Sequence, residues 1–200
     1  MVSTSEGLFE EQLEERTGRI NASTLALNEK VVHTRRVAKV VKGGRHLRFN
    51  ALVVVGDGQG VVGIGLGKAD AIPDAVRKGT AAARKNLMRV ALKGRTIPHD
   101  IIGEFGAARV LLKPAPQGTG IIAAGTVRTI MDLVGAYDVV TKSLGSRNPI
   151  NVAKATLSAL EHLVDPATAR ALRKGVKPKT APAVHSPLPK RPEAGRAWRA

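Results

Sequence analysis

KGGRHLRFNALVVVGDGQGVVGIGLGK, residues 42–68, is the stretch whose reading decides the fold. An apolar run at 51–55 meets a glycine-dense turn at 56–60, and a second run alternates apolar residues with glycine from 61 to 67. Two β-type runs around an Asp-Gly turn predict a hairpin. The hairpin is entered through Lys42, Arg45 and Arg48 and left through Lys68, with Asp57 as its sole acid. Such a charge suits a polyanion.

Working outward, residues 30–48 hold seven cations (Lys30, Arg35, Arg36, Lys39, Lys42, Arg45, Arg48) and no acid. Val32, Val37, Val40 and Val41 are β-branched, so a strand is expected that turns at Gly43-Gly44. Charge on an edge strand also prevents pairing with other chains, but that protection does not require one sign. Contact with RNA is the expectation, the two glycines letting backbone approach phosphate between Lys42 and Arg45.

Residues 58–63 (GQGVVG) fit G-x-G-x-x-G literally. A dinucleotide site needs a helix to open at that loop, whereas the residues that follow alternate apolar side chains with glycine. A structural turn is expected. Beyond it, Asp70 is placed as an N-cap, with Pro73 and Asp74 in the first turn. The helix is predicted to run to about residue 92, with Ile72, Val76, Ala83, Leu87 and Val90 on its buried face. Arg77, Lys78, Arg84, Lys85 and Arg89 fall opposite. A basic helix face is often simply solvated, but five cations with no acid among them favour some phosphate contact.

Short strands are expected at 96–97, 101–102 and 108–113, with a domain boundary near 93–100. The second glycine cluster, 117–126 (QGTGIIAAGT), is predicted to open a helix over 127–136 capped by Thr126. Gly120-x4-Gly125-Thr126 approaches a P-loop but has Thr where the phosphate-gripping Lys must stand. Close packing at a helix start, or contact with a partner through Ile121 and Ile122, are the readings left. A strand at 138–144 precedes Asn148 as N-cap and Pro149 at the first helical position. That helix is expected to reach about 164, burying Val152, Thr156, Ala159, Leu160 and Leu163. A helical remnant at 170–174 leads into a Lys/Pro/Ala tail without apolar period, for which disorder is expected. There Trp198 either stacks on a base or hangs free.

The 200 residues carry 32 Lys+Arg against 16 Asp+Glu, a formal +16, and only 2% aromatics, so the core must be aliphatic. Residues 1–29 hold two basic and six acidic residues, 30–165 hold 21 and nine, and 166–200 hold nine and one. The basic character therefore belongs to the body and tail, and the acidic leader is expected to be flexible. No apolar run reaches the ~18 residues of a spanning helix, so no membrane association is expected. The acidic start does not suit a signal peptide. Without cysteine, thiolate and disulfide chemistry are excluded, and a cytoplasmic placement follows. The five histidines (His33, His46, His99, His162, His185) lack metal-ligand spacing. No G-x-S-x-G elbow occurs. Neither catalysis, a metal, a cofactor nor a small-molecule substrate is expected.

VVKGGR (40–45), ALVVVGDGQGVVGIGLGKA (51–69), KPAPQGTGIIAAGTVR (113–128) and GSRNPINVAKAT (145–156) together closely resemble the bacterial form of the fifth protein of the small ribosomal subunit. The resemblance spans roughly residues 31–175. It implies an α+β fold of two small domains with flexible termini: a leader at 1–30, a double-stranded-RNA-binding-like sheet and helix at 31–97, a β-α-β-α domain at 98–165, and a basic tail at 166–200. It implies a structural constituent that binds ribosomal RNA, supports subunit assembly and contributes to decoding accuracy near the messenger entry path. A free cytosolic RNA chaperone or regulator is the alternative. The candidate RNA contacts are Arg35, Arg36, Lys39, Lys42, Gly43, Gly44, Arg45, Arg48 and Lys68, with Lys78, Arg84, Lys85 and Arg89 on the helix and Arg147 and Asn148 near the end. The family's spectinomycin-linked loop matches Ala38 and Lys39. Its contact with the fourth small-subunit protein matches Gly118, Thr119, Gly120, Ile121, Ile122 and Arg128, and the eighth protein is a further neighbour.

Overall fold

The structure is a computed structural model that describes residues 20, 22 and 25–174; the expectations for the leader before residue 20, the tail beyond 174 and Trp198 lie outside these. It contains two α+β domains, each a four-stranded sheet with helices packed on one face. In the first, β1 (Asn28–Val41), β2 (Gly44–Gly56), β3 (Val61–Ala69) and β4 (Leu87–Arg89) lie side by side in that order, all antiparallel. The apolar run of β2 is buried on both faces. Ala51, Val53 and Val55 pack with helix α1 (Ile72–Lys85), while Leu52 and Val54 join the core of the second domain. The expected hairpin is present. Asp57 shapes its turn, its Oδ1 accepting from the amides of Gln59 (2.7 Å) and Val61 (2.9 Å).

The helix departs from the sequence reading in three ways. Asp70 does not cap it: Ala71 holds that position without a side-chain hydrogen bond, and Asp70 instead pairs with Arg48 at 2.9 Å. The helix stops at Lys85, because the chain turns at Asn86 and β4 then pairs with residues 61–63 of β3. Leu87 and Val90 fit helical spacing, yet satisfying β3's open edge and burying Met88, Val90 and Leu92 against the second domain outweighs another exposed helical turn. Finally, the buried stripe is Ala75, Gly79 and Ala83, and Ile72 is exposed. Small residues are needed there because Gly63, Gly65 and Gly67 of β3 lie directly beneath. A Cβ on Gly65 would stand 2.0 Å from the Gly79 carbonyl oxygen, and one on Gly67 1.8 Å from that of Ala75.

The second domain comprises β5 (Ile101–Phe105), β6 (Ala108–Pro114), β7 (Ile121–Ile122), α2 (Gly125–Val134), β8 (Val139–Gly145), α3 (Pro149–Glu161) and α4 (Pro166–Arg173), with sheet order β5-β6-β8-β7 and β7 parallel to β8. Residues 96–97 form no strand; Thr96 makes an isolated bridge with Lys93, and Ile97 is fully buried. Thr126 lies inside α2, whose N-cap is Ala124, and α2 ends at Val134 where Gly135 turns left-handed (φ 90°). Asn148 caps α3 as expected, its Oδ1 accepting from the Ile150 amide at 3.3 Å. Val152, Thr156, Ala159, Leu160 and Leu163 are buried, though α3 ends at Glu161 and Leu163 lies beyond it. The final helix is longer than the expected remnant.

The two domains share one core, in which Leu52, Val54 and Val62 meet Val127, Ile130 and Met131. The amides of Gly58 and Gly60 donate to the carbonyls of Leu133 and Val134, both at 2.9 Å. The G-x-G-x-x-G turn thus spends its amides on a helix end, not on a phosphate. Two substitutions separate these constraints. Gly67→Ala is expected to cost about 3 kcal/mol, because α1 must move off the sheet. Gly125→Ala, with no atom within 4 Å of the added Cβ, is expected to stabilise by about 0.5 kcal/mol. Urea unfolding of the two variants checks both.

Candidate nucleic-acid interface

Residues 35–48 form an arm in which β1 and β2 run past the buried part of the sheet. Its facing is set by a bulge in β1 between Val31 and His33. Beyond the bulge, Arg35 stands opposite Asn50, Val37 opposite Arg48, and Lys39 opposite His46, while Lys68 of β3 stands opposite Asn50. Residues paired across antiparallel strands share a face. Arg35, Lys39, His46, Arg48 and Lys68 therefore gather on the face opposite α1. A cleft of about 560 Å³ lies here, lined by Lys39, His46, Arg48, Lys68 and Asp70 together with Val37, Ala38 and Leu47. Arg36 and Arg45 point to the other side of the arm with Ala38, so Ala38 and Lys39 are adjacent in sequence but opposed in space.

At the tip Lys42 and Gly43 make the turn. Gly43 takes φ 96°, and neither Gly43 nor Gly44 has any protein atom within 4 Å of a built Cβ. Both glycines are open to an incoming surface. Lys78 and Lys85 are exposed on α1, and Arg89 is exposed on β4, not on the helix. Arg84 is partly committed: its Nη2 donates to Glu29 at 2.7 Å, and Thr80 binds the same carboxylate at 3.0 Å. Arg147 and Asn148 belong to the turn after β8, beside residue 107 of the β5–β6 turn, apart from the arm.

The second glycine cluster forms a separate surface. Gly118 and Gly120 donate their amides to Asp138 Oδ1 at 3.0 and 3.1 Å, and Thr119 folds back on the Pro116 carbonyl at 2.8 Å. Ile121 packs partly into the core, while Ile122 and Arg128 are exposed. A cleft of about 650 Å³ lies here, lined by Gly118, Gly120, Ile121, Arg128, Lys30 and Asp132, among others. Lys30 and Asp132 form an ion pair across the domains. The sequence reading places Asp138 at a strand start and gives it no part in this turn, whereas the structure makes it the acceptor that organises it. Asp138 is 3% exposed, and Arg95 Nε stands 3.7 Å from its Oδ2.

Comparison with known proteins agrees across both domains. A family model described as "Ribosomal protein S5, N-terminal domain" matches residues 27–91, and one described as "Ribosomal protein S5, C-terminal domain" matches residues 103–173. The chain belongs to the ribosomal protein S5 family. It is similar to "Small ribosomal subunit protein uS5" of Syntrophobacter fumaroxidans, 56% identical over 144 residues, which cover 72% of this chain and 87% of that protein. It is also similar to the protein of that name in Dehalococcoides mccartyi, 53% identical over 150 residues, 75% and 87% of the two chains.

For this S5 family member the cationic arm yields a quantitative expectation. Arg35→Ala and Lys39→Ala should each reduce the salt slope of duplex RNA binding by about 0.9, and Arg84→Ala by less, because Glu29 already offsets its charge. Asp70→Asn, which frees Arg48, is expected to tighten binding about two- to fivefold. Fluorescence anisotropy titrations across a salt series check all four.

Proposed function

We infer that this S5 family chain is a structural constituent of the small ribosomal subunit that holds ribosomal RNA through the β1–β2 arm. The supporting observation is the register that collects Arg35, Lys39, His46, Arg48 and Lys68 on one uncovered face, with Asp70 as the acid beside them. Neutralising phosphates releases counterions and drives association without base readout. A-form RNA presents phosphates and 2′-hydroxyls across a shallow groove, which a flat, cation-bearing sheet can follow. Arg36, Lys42 and Arg45, with Gly43 and Gly44 at the tip, extend the contact to the end of the arm. Lys78, Lys85 and Arg89 supply a second strip, and Arg147 with Asn148 a third, on the other domain.

On this reading residues 31–97 are the RNA-holding domain and 98–165 the domain that meets protein neighbours. The Gly118–Gly120 turn, Ile121, Ile122 and Arg128 meet the fourth small-subunit protein, and the eighth protein is a further neighbour. Asp138 preorganises that turn by accepting two of its amides. The chain acts as a scaffold in the cytoplasm, supporting assembly and decoding accuracy beside the messenger path, with Ala38 and Lys39 in the antibiotic-linked arm. It carries out no reaction of its own.

The test is sedimentation. Epitope-tagged full-length chain is expected to co-migrate with small subunits through sucrose gradients at moderate salt, and an Arg35→Glu/Lys39→Glu variant to shift to the light fractions while keeping its circular dichroism. A wild-type chain found mainly in light fractions would overturn the reading.

A further inference from the structure

Helix α1 turns Arg77, Lys78, Arg84 and Lys85 to solvent, away from the buried stripe of Ala75, Gly79 and Ala83. The segment leading into β1 already covers part of this charge. Leu27 packs against the core cluster beneath α1, and β1 starts at Asn28. Glu29 then accepts from Arg84 Nη2 at 2.7 Å and from the Thr80 hydroxyl at 3.0 Å. The chain thus enters the first domain along one flank of α1, with an acid laid on the helix.

Neutralisation of the helix is incomplete. Arg77 pairs with Asp74 at 3.1 Å, and Arg84 with Glu29. Lys78 and Lys85 meet no carboxylate within ion-pair distance among the described residues. Their spacing puts the two lysines on one stripe, on the flank of α1 away from Thr80.

The sequence ahead of Leu27 holds the missing charge. Glu6, Glu10, Glu11, Glu14 and Glu15 stand there against Arg16 and Arg19, with no lysine and no aspartate. From Leu27 back to Glu15 the chain can span at most about 40 Å. Helix α1 is only about 21 Å long and about 11 Å across, so both lysines lie within reach. The tip of the arm is the farther target, about 43 Å along β1 from Asn28. Exposed ion pairs are individually weak, but a tether holds the acids at roughly millimolar effective concentration. We propose that residues 10–15 of this chain dock across the outer face of α1, their glutamates meeting Lys78 and Lys85, so that RNA must displace them to reach that strip. The shielding rests on the RNA-holding reading; the docking does not.

Zero-length carbodiimide coupling of the full-length chain, without RNA, tests the docking. Peptides bearing Glu10, Glu11, Glu14 or Glu15 are expected to join Lys78 and Lys85 above all other lysines. In a mixture of light and heavy-nitrogen chains the joined peptides should come from one molecule, and added salt should lower the yield. The shielding is read by anisotropy with duplex RNA at low salt. Glu10→Gln/Glu11→Gln/Glu14→Gln/Glu15→Gln should tighten binding about threefold to tenfold, and Lys78→Gln/Lys85→Gln should abolish that gain. No adduct, adducts centred on Lys39 or Lys42 of the arm or on Lys177, Lys179 or Lys190 of the tail, or adducts between two molecules would overturn the proposal. So would a glutamate variant that binds RNA no more tightly than wild type. A chain that gives the Lys78 and Lys85 adducts but holds no duplex RNA would instead overturn the RNA-holding reading, and the shielding with it.

Discussion

Contact between α1 and β3 without intervening side chains is the constraint on which the first domain depends. Gly63, Gly65 and Gly67 occupy alternate positions of one strand and so present bare backbone along one face. Ala75, Gly79 and Ala83 answer them at helical spacing. With distances near 2 Å to any added Cβ, neither surface tolerates a larger residue. Gly79 seats α1 against Val53 as well, since a Cβ there would lie 2.8 Å from Cγ2 of that valine. In a chain almost without aromatics, close approach of backbone to backbone replaces the bulk that large side chains would supply, and dispersion over many short contacts provides the cohesion.

Pressing α1 onto one face of β2 and β3 leaves the other face available, and the second domain takes part of it. Leu52, Val54 and Val62 enter the shared core, and the hairpin turn fits against the end of α2 so tightly that a Cβ on Gly56 would stand 2.3 Å from the Leu133 carbonyl oxygen. Where this cover runs out, β1 and β2 continue as a bare ribbon. A ribbon exposed on both faces favours polar side chains, and cations dominate it beside the exposed Val40 and Leu47. The arm's charge and its exposure thus have one origin: it is the portion of the sheet that neither α1 nor the second domain reaches.

Two aspartates perform the same task in the two domains. Asp57 accepts the amides of Gln59 and Val61, and Asp138 those of Gly118 and Gly120. Each turns a glycine-rich segment into a defined shape by satisfying amides that would otherwise seek an anion. Both segments resemble nucleotide loops in sequence, yet their donors are already occupied within the protein. The difference between the two turns lies in their surroundings, since the first packs against the neighbouring domain and the second borders an open cleft.

Much of this was legible in the linear chain. The hairpin, the Gly43-Gly44 turn, the capped α3 and the basic body follow from local chemistry: glycine where φ is positive, Asn-Pro at a helix start, β-branched runs in strands. The family, too, could be read from four long motifs. Three features could not. The end of α1 at Lys85 depends on β3 having an edge to fill, and Asp70 leaves its expected cap because Arg48 lies across the sheet. The facing of the arm depends on one bulge: without it, period-two alternation from Lys30 would put Arg36 on that residue's face, whereas the extra residue puts Arg35 and Lys39 there. Composition and local propensity are properties of the chain alone. Which cations share a face is a matter of register, and register is decided only when strands meet.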